Sequence, residues 1–171
     1  TVVHNGVAVP ASSCSPCSHQ DVLFLGRLDA NKSPDVLLRA SRKILPRFPE
    51  TKIVFGGDGE IDKNKALAEE LGIADRCEFH GWVIGDKREA LFERAALFCL
   101  PSKNEGLPMS VLEAMAHGIP AVATAVGVVP QVIEDGVSGF LIDVDDEVAL
   151  SESLASLLAE PKLREELGRN G

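Results

Sequence analysis

Two carboxylates, Glu105 and Glu113, and two cations, Arg27 and Lys32, are the side chains whose company in this sequence suggests chemistry. Glu105 opens the run Glu-Gly-Leu-Pro-Met-Ser-Val-Leu-Glu. Its spacing predicts a turn through Gly106 and Leu107 into a helix from Pro108 to Ala116, with proline at the first helical position and Gly118 just past the end. The N–H groups of Gly106, Leu107 and Met109 would then be free at the helix N-terminus, where the dipole also favours an anion. Glu113 would stand about 7.5 Å beyond Pro108 along the axis, at about 1.5 Å per residue. A phosphate and the hydroxyls of a sugar attached to it are separated by a similar span. The helix is otherwise apolar around its circumference, as expected of a helix in an interior. A carboxylate there is unfavourable unless something hydrogen-bonds to it. Glu113 therefore lies either on a narrow solvent stripe or against a cleft, with Glu105 as a second acceptor at the mouth.

Arg27 and Lys32 bracket a loop that leads to Ser33-Pro34-Asp35, read as an N-cap, a first-turn proline and an acidic residue opening a helix. Cations are disfavoured at a helix N-terminus because the positive end of the dipole is already there. An anion held between them would reverse that sign, so the pair points to a phosphate site; the plain alternative is two solvated surface residues. The turn Gly56-Gly-Asp-Gly-Glu60 has neither the spacing of a dinucleotide fingerprint nor the ending of a P-loop. It reads as a tight passage from strand to helix. His4, His19, His80 and His117 show no metal spacing and no nucleophile partnership, and no catalytic triad or nucleophile elbow is visible.

The elements that must position these groups alternate. Strands are expected at Asp21–Leu28, Thr51–Phe55, Arg76–His80, Ala95–Leu100, Pro120–Ala123 and Ser138–Ile142. Helices are expected from Ser33-Pro34 to about Pro46, from Glu60 to Leu71, at Lys87–Arg94, at Pro130–Glu134, and after an Asp145 or Asp146 cap until Pro161. A further short strand is expected at Thr1–Val3, a small polar loop over Ala8–His19, and a charged helical tail after Pro161. The strands are continuous apolar runs rather than alternating ones, which predicts a doubly wound parallel sheet of the α/β, Rossmann-like class. Ligands on such sheets bind outside the carboxyl ends of the strands. The turns at Gly26–Lys32, Gly56–Glu60, Gly81–Val83 and Ser102–Pro108 all fall there.

Composition bounds the partners. The chain has 171 residues, enough for one domain with a full core, 45% of them hydrophobic and 25% charged. A net charge of −9 argues against a nucleic acid or an anionic membrane surface as the main partner. No run approaches the roughly 20 apolar residues of a membrane span. Cys14 and Cys17 form one C-x-x-C without a second pair, an insufficient zinc signal, and it does not open a helix as a redox motif would. Cys77 and Cys99 occupy apolar strand positions. The start at Thr1, without Met, is that expected of a piece of a longer protein.

Taken together and in order, these landmarks resemble the retaining family-4 glycosyltransferases. Glu105 to Pro120 resembles that family's E-x7-E segment, and Gly26-Arg27-Leu28 with Lys32 its diphosphate-binding element. Gly57–Glu60, Phe79–Val83 and Asp135–Leu141 resemble its other landmarks, and Val3-His-Asn-Gly6 the strand by which the chain enters that half. The resemblance implies the GT-B arrangement of two Rossmann-like domains, of which residues 1–171 would be the C-terminal, donor-binding one and the acceptor-binding N-terminal domain would lie outside this chain. It implies a nucleoside diphosphate sugar as donor and no metal or other cofactor. Arg27 and Lys32 would grip the diphosphate and stabilise the leaving nucleotide, Glu105 would contact the transferred sugar, and Glu113 would accept from the ribose hydroxyls. The amides from Gly106 through Leu107 and Pro108 to Met109 would lie near sugar and phosphate, and the Trp82-Val83 backbone beside the base. It also implies a cytoplasmic protein, at most peripheral at the cytosolic membrane face through the other half. One departure stands out: the family's Gly-Gly pair followed by Pro-Glu is here Gly127-Val128-Val129-Pro130-Gln131. A non-catalytic nucleotide-sugar-binding module is the alternative this leaves open. A dinucleotide-dependent enzyme is disfavoured by the missing G-x-G-x-x-G.

Overall fold

A computed structural model describes residues 20–171, so the expected strand at Thr1–Val3, the 8–19 loop and Cys14, Cys17, His4 and His19 lie outside the described residues. Six strands form one sheet: β1 (Asp21–Leu25), β2 (Ile53–Gly56), β3 (Cys77–Phe79), β4 (Ala95–Leu100), β5 (Ala121–Thr124) and β6 (Gly139–Ile142). Their order is β3-β2-β1-β4-β5-β6 and every neighbouring pair is parallel. The helices are α1 (Pro34–Ile44), α2 (Ile61–Glu70), α3 (Asp86–Arg94), α4 (Met109–Ala116), α5 (Val129–Val132), α6 (Glu147–Ala159) and α7 (Pro161–Asn170). This is the doubly wound order, and its switch point lies between β1 and β4, where Val22 pairs with Ile53 on one side and Leu97 on the other.

Crossover helices cover both faces, so the central strands have no polar side: Val22, Leu23 and Phe24 are fully buried and all six residues of β4 are buried. Each buried Val, Leu or Phe there contributes about 1.5–3 kcal/mol by leaving water. Phe55 links neighbouring strands on one face of the sheet, 5.5 Å from the Phe24 ring and stacked on Phe79 at 4.8 Å. Helix α1 packs against α2 and α6, while α3 lies over β1 and α4 over β4 and β5. The Cys77 thiol is pushed up to about 12 by burial, and burial raises fully enclosed Cys99 further. Both are protonated core groups rather than nucleophiles.

Several local expectations are corrected. Strand β1 ends at Leu25, and Leu28 keeps only an isolated bridge to Gly59, because the chain there turns to meet the Gly57–Gly59 loop. Strand β2 starts at Ile53, since the Thr51 N–H closes a turn onto the Phe48 carbonyl. Helix α1 ends at Ile44, and residues 45–47 tighten into a 3-10 turn that carries Pro46. Ser33 precedes α1 but does not cap it: its backbone is left-handed at φ 50°, and its hydroxyl donates to the Ala30 carbonyl at 3.3 Å. Asp29 orders that loop instead, its Oδ1 accepting from the amides of Asn31 and Lys32 at 3.0 and 3.1 Å. Asp146, of the two candidates, caps α6 by accepting from the amides of Val148 and Ala149.

Helix α4 departs from expectation in two ways. Pro108 is its extended cap residue at ψ 99°, so the helix starts at Met109. It is also only half enclosed: Val111, Ala114 and Met115 are buried against the sheet, while Leu112, Glu113 and Ala116 are partly open. Its C-terminal end is held by α7. A Cβ on Gly168 would overlap the Gly118 carbonyl, so the two backbones touch where a side chain would separate them.

Candidate functional site

Four loops meet at the carboxyl ends of β1, β2, β3 and β4 and enclose a cleft of about 480 Å³. Glycines make it possible. The Gly57 N–H donates to the Gly81 carbonyl at 2.7 Å, and the Leu28 N–H to the Asp58 carbonyl at 2.7 Å. Gly57 has φ 145°, and a Cβ on it would overlap the Gly26 carbonyl oxygen. The Gly56–Glu60 turn is thus more than a passage into α2, since its backbone interlocks with the Arg27 loop to form the cleft floor. A Cβ on Gly56 would press on Val83 at 2.8 Å.

Arg27, Lys32, Val83, Glu105, Leu107, Pro108 and Met109 line this one cleft, and Gly106 belongs to the same turn. The amides of Gly106, Leu107 and Met109 have no backbone acceptor among the described residues, which leaves three donors at the N-terminus of α4. Arg27 is mostly exposed, and its Nε stands 3.4 Å from Asp29. Lys32 reaches across from the β1 loop to the β4 loop, where its Nζ donates to Glu105 Oε1 at 2.6 Å. Glu105 is 8% exposed, and this charge-assisted bond offsets its burial. Each of the two cations thus has an acidic partner within the chain, so the dipole argument alone does not require an anion here.

Glu113 differs from expectation. It lies neither on a free solvent stripe nor unpartnered in an interior. Its side chain is 30% exposed and its Oε2 accepts from Arg88 of α3. Arg88 itself lines the cleft. Sequence reasoning passed over it, although the signal was available: Arg88 lies in the first turn of α3, where a cation is disfavoured for the same reason that singled out Arg27 and Lys32. Asp58 and the largely exposed Trp82 line the cleft as well.

The Gly127–Gln131 departure has a simple geometry. Gly127 keeps a left-handed backbone at φ 57°, and a Cβ there would overlap the Glu105 carbonyl. Val128 has φ −95°, which any residue adopts, and Gln131 is exposed. Valine at 128 therefore removes no backbone freedom that the loop uses. Neither remaining described histidine is unpartnered: His80 meets Glu78 at 3.1 Å, and buried His117 meets Glu89 at 3.2 Å while stacking on Phe92. Among the described residues no group of three or more His, Cys, Asp and Glu is placed to hold a metal ion, and no helix is long and apolar enough to cross a membrane.

The model of one family, described as glycosyl transferases group 1, matches residues 15–171. The chain belongs to that family. A D-inositol 3-phosphate glycosyltransferase of Salinispora tropica is 39% identical over 158 residues, covering 86% of this group 1 chain and 33% of the relative. The chain therefore spans about a third of the length of the curated relatives it matches. Among solved structures, Staphylococcus aureus TarM in complex with UDP superposes with a TM-score of 0.83 at 22% identity, over 99% of this chain and 33% of that one. The C-terminal domain of a group 1 family protein, LpcC from Francisella tularensis, gives 0.80 at 23% identity, over 88% and 81%. The fold is that of one Rossmann-like half of a GT-B glycosyltransferase.

Proposed function

We propose that this chain is the donor-binding, C-terminal domain of a retaining glycosyltransferase and that its cleft takes a nucleoside diphosphate sugar. The observation that carries this reading is convergence: Arg27, Lys32, Arg88 and the start of α4, whose amides have no backbone acceptor among the described residues, all meet at one cleft at the switch point of the sheet. The UDP named in the TarM complex and the transferase activity named for the inositol phosphate relatives support the same ligand class.

In this reading the diphosphate lies over the α4 N-terminus between Arg27 and Lys32. When the sugar–phosphate C–O bond breaks, the electron pair leaves with the nucleoside diphosphate. The developing negative charge lies beside fixed cations and amide dipoles, which stabilise it without reorganisation. No metal is invoked, because those groups do its electrostatic work. Glu105, held by Lys32, faces the transferred sugar. The backbone at Trp82-Val83 borders the base, and Glu113 accepts from the ribose. The acceptor is supplied by a second, N-terminal domain, so this chain alone is expected to bind donor without transferring sugar. A cytoplasmic placement follows from the same reading. The ordinary backbone at Val128 gives the non-catalytic module no support of its own.

Calorimetric titration of this chain with UDP, GDP and ADP tests the proposal. One of them is expected to bind, and Arg27→Ala to weaken it by roughly tenfold or more, the effect of losing a charge-assisted hydrogen bond, while leaving thermal stability nearly unchanged because the side chain is exposed. Every proposed donor contact lies on this chain, so failure of all three nucleotides to bind would overturn the reading.

A further inference from the structure

We infer that Arg88 is a positioning residue for the donor's ribose, acting through Glu113; the inference rests on the donor reading above. Arg88 lines the cleft and donates to the Glu113 carboxylate of α4. Its guanidinium is itself held, 5.6 Å from the Phe92 ring centroid and 26% exposed. It donates to Oε2 of Glu113, and Oε1 takes no hydrogen bond among the described residues. An ionised carboxylate has about four lone-pair sites, so one oxygen can stay with Arg88 while the other accepts from a hydroxyl.

The next residue along α3 repeats the connection one turn further on α4. Glu89 meets His117 Nε2 at 3.2 Å, and Phe92 stacks on the His117 ring at 4.6 Å. Arg88 and Glu89 thus engage Glu113 and His117, fixing the register of α3 against α4. A glutamate on a half-open helix face would otherwise sample several staggered rotamers and lose that freedom only on binding. Arg88 removes the freedom in advance. Its planar fork suits this task better than a lysine, which would supply the charge without the direction.

The measurement is the preference of this chain for whichever of UDP, GDP or ADP binds over its 2′-deoxy counterpart. It is made by calorimetry on the unaltered chain, Arg88→Met, Arg88→Lys, Glu113→Gln and the Arg88→Met/Glu113→Gln pair, with thermal unfolding of each as a check on folding. The unaltered chain is expected to prefer the ribonucleotide by about tenfold to a hundredfold, the range of a hydrogen bond to a charged group. Glu113→Gln and Arg88→Met should each lower that preference several-fold, Arg88→Lys should fall between, and the pair should lose no more than the worse single change. Arg88→Lys keeps the test alive if Arg88→Met fails to fold. An unchanged preference in the Arg88 variants, with both ligands weakened equally, would make Arg88 a phosphate contact and overturn the inference. So would an unchanged preference with unchanged affinity, a preference that rises, or an unaltered chain that binds both nucleotides equally. An unaltered chain that binds none of the three would instead overturn the donor reading, and the inference with it.

Discussion

Charge is concentrated at two places in this sheet, and they behave differently. At the amino ends of β1, β2 and β4, Arg94 bonds to Asp21 and Glu78 while Lys52 takes the same Glu78, and His80 joins from the end of β3. Charges there answer one another. At the carboxyl ends the cations also have partners, but glycine turns hold open a space beside them, and the amides at the start of α4 have no backbone acceptor among the described residues. A dense group of charges is therefore a poor mark of a site by itself. Room made by backbone that tolerates no side chain, together with unpaired donors, is the better one.

The sharpest way to break the contrast is to fill the room. Gly57→Val puts a branched side chain at φ 145° against the Gly26 carbonyl. It should destabilise the chain by about 3 kcal/mol or more in denaturant unfolding, with donor binding lost in whatever remains folded. A substitution without effect on unfolding would show that the two loops need not interlock. Next comes Arg94→Met, which takes the guanidinium from Asp21 and Glu78 and leaves Glu78 to Lys52 and His80. It should destabilise by about 1–3 kcal/mol while leaving nucleotide affinity unchanged. A change in affinity would mean that the two charge clusters are coupled.

The smallest expected effect is on acid stability. Glu78 is held down to about 2, first by its hydrogen bond from Arg94 and then by those from Lys52 and His80. A depressed carboxylate contributes stability that is complete above its unfolded pKa of about 4.5 and is lost as pH falls toward 2. Between those values unfolding measured in urea should become easier, and Glu78→Gln should flatten that part of the curve. An unchanged slope in the variant would place the acid sensitivity elsewhere.

Much of this was legible in the chain. The run Ala95–Leu100 matched β4 residue for residue, because a strand covered on both faces is written as an uninterrupted apolar run. Lys32, Arg27 and Glu105 were singled out separately; that Lys32 and Glu105 touch was not, since they lie 73 residues apart and only the β1–β4 pairing brings them together. Arg88 was missed because arginine on a polar helix is ordinary, and its meaning depends on a helix that starts twenty-one positions later. Ser33 keeps the cap position of α1 without capping it, and Pro108 lies one position before the helix it was expected to open, because the loops turn both backbones elsewhere.

The two ends of α4 are each set by a glycine from a distant stretch: Gly127 lies on the Glu105 carbonyl before the helix, and Gly168 on the Gly118 carbonyl after it. The segment between those carbonyls is thereby gauged in length. One inserted residue would rotate everything beyond it by about 100° and advance it by about 1.5 Å, turning Glu113 away from Arg88 or pushing Gly118 into α7. Homologous chains are therefore expected to admit no insertion or deletion between Glu105 and Gly118.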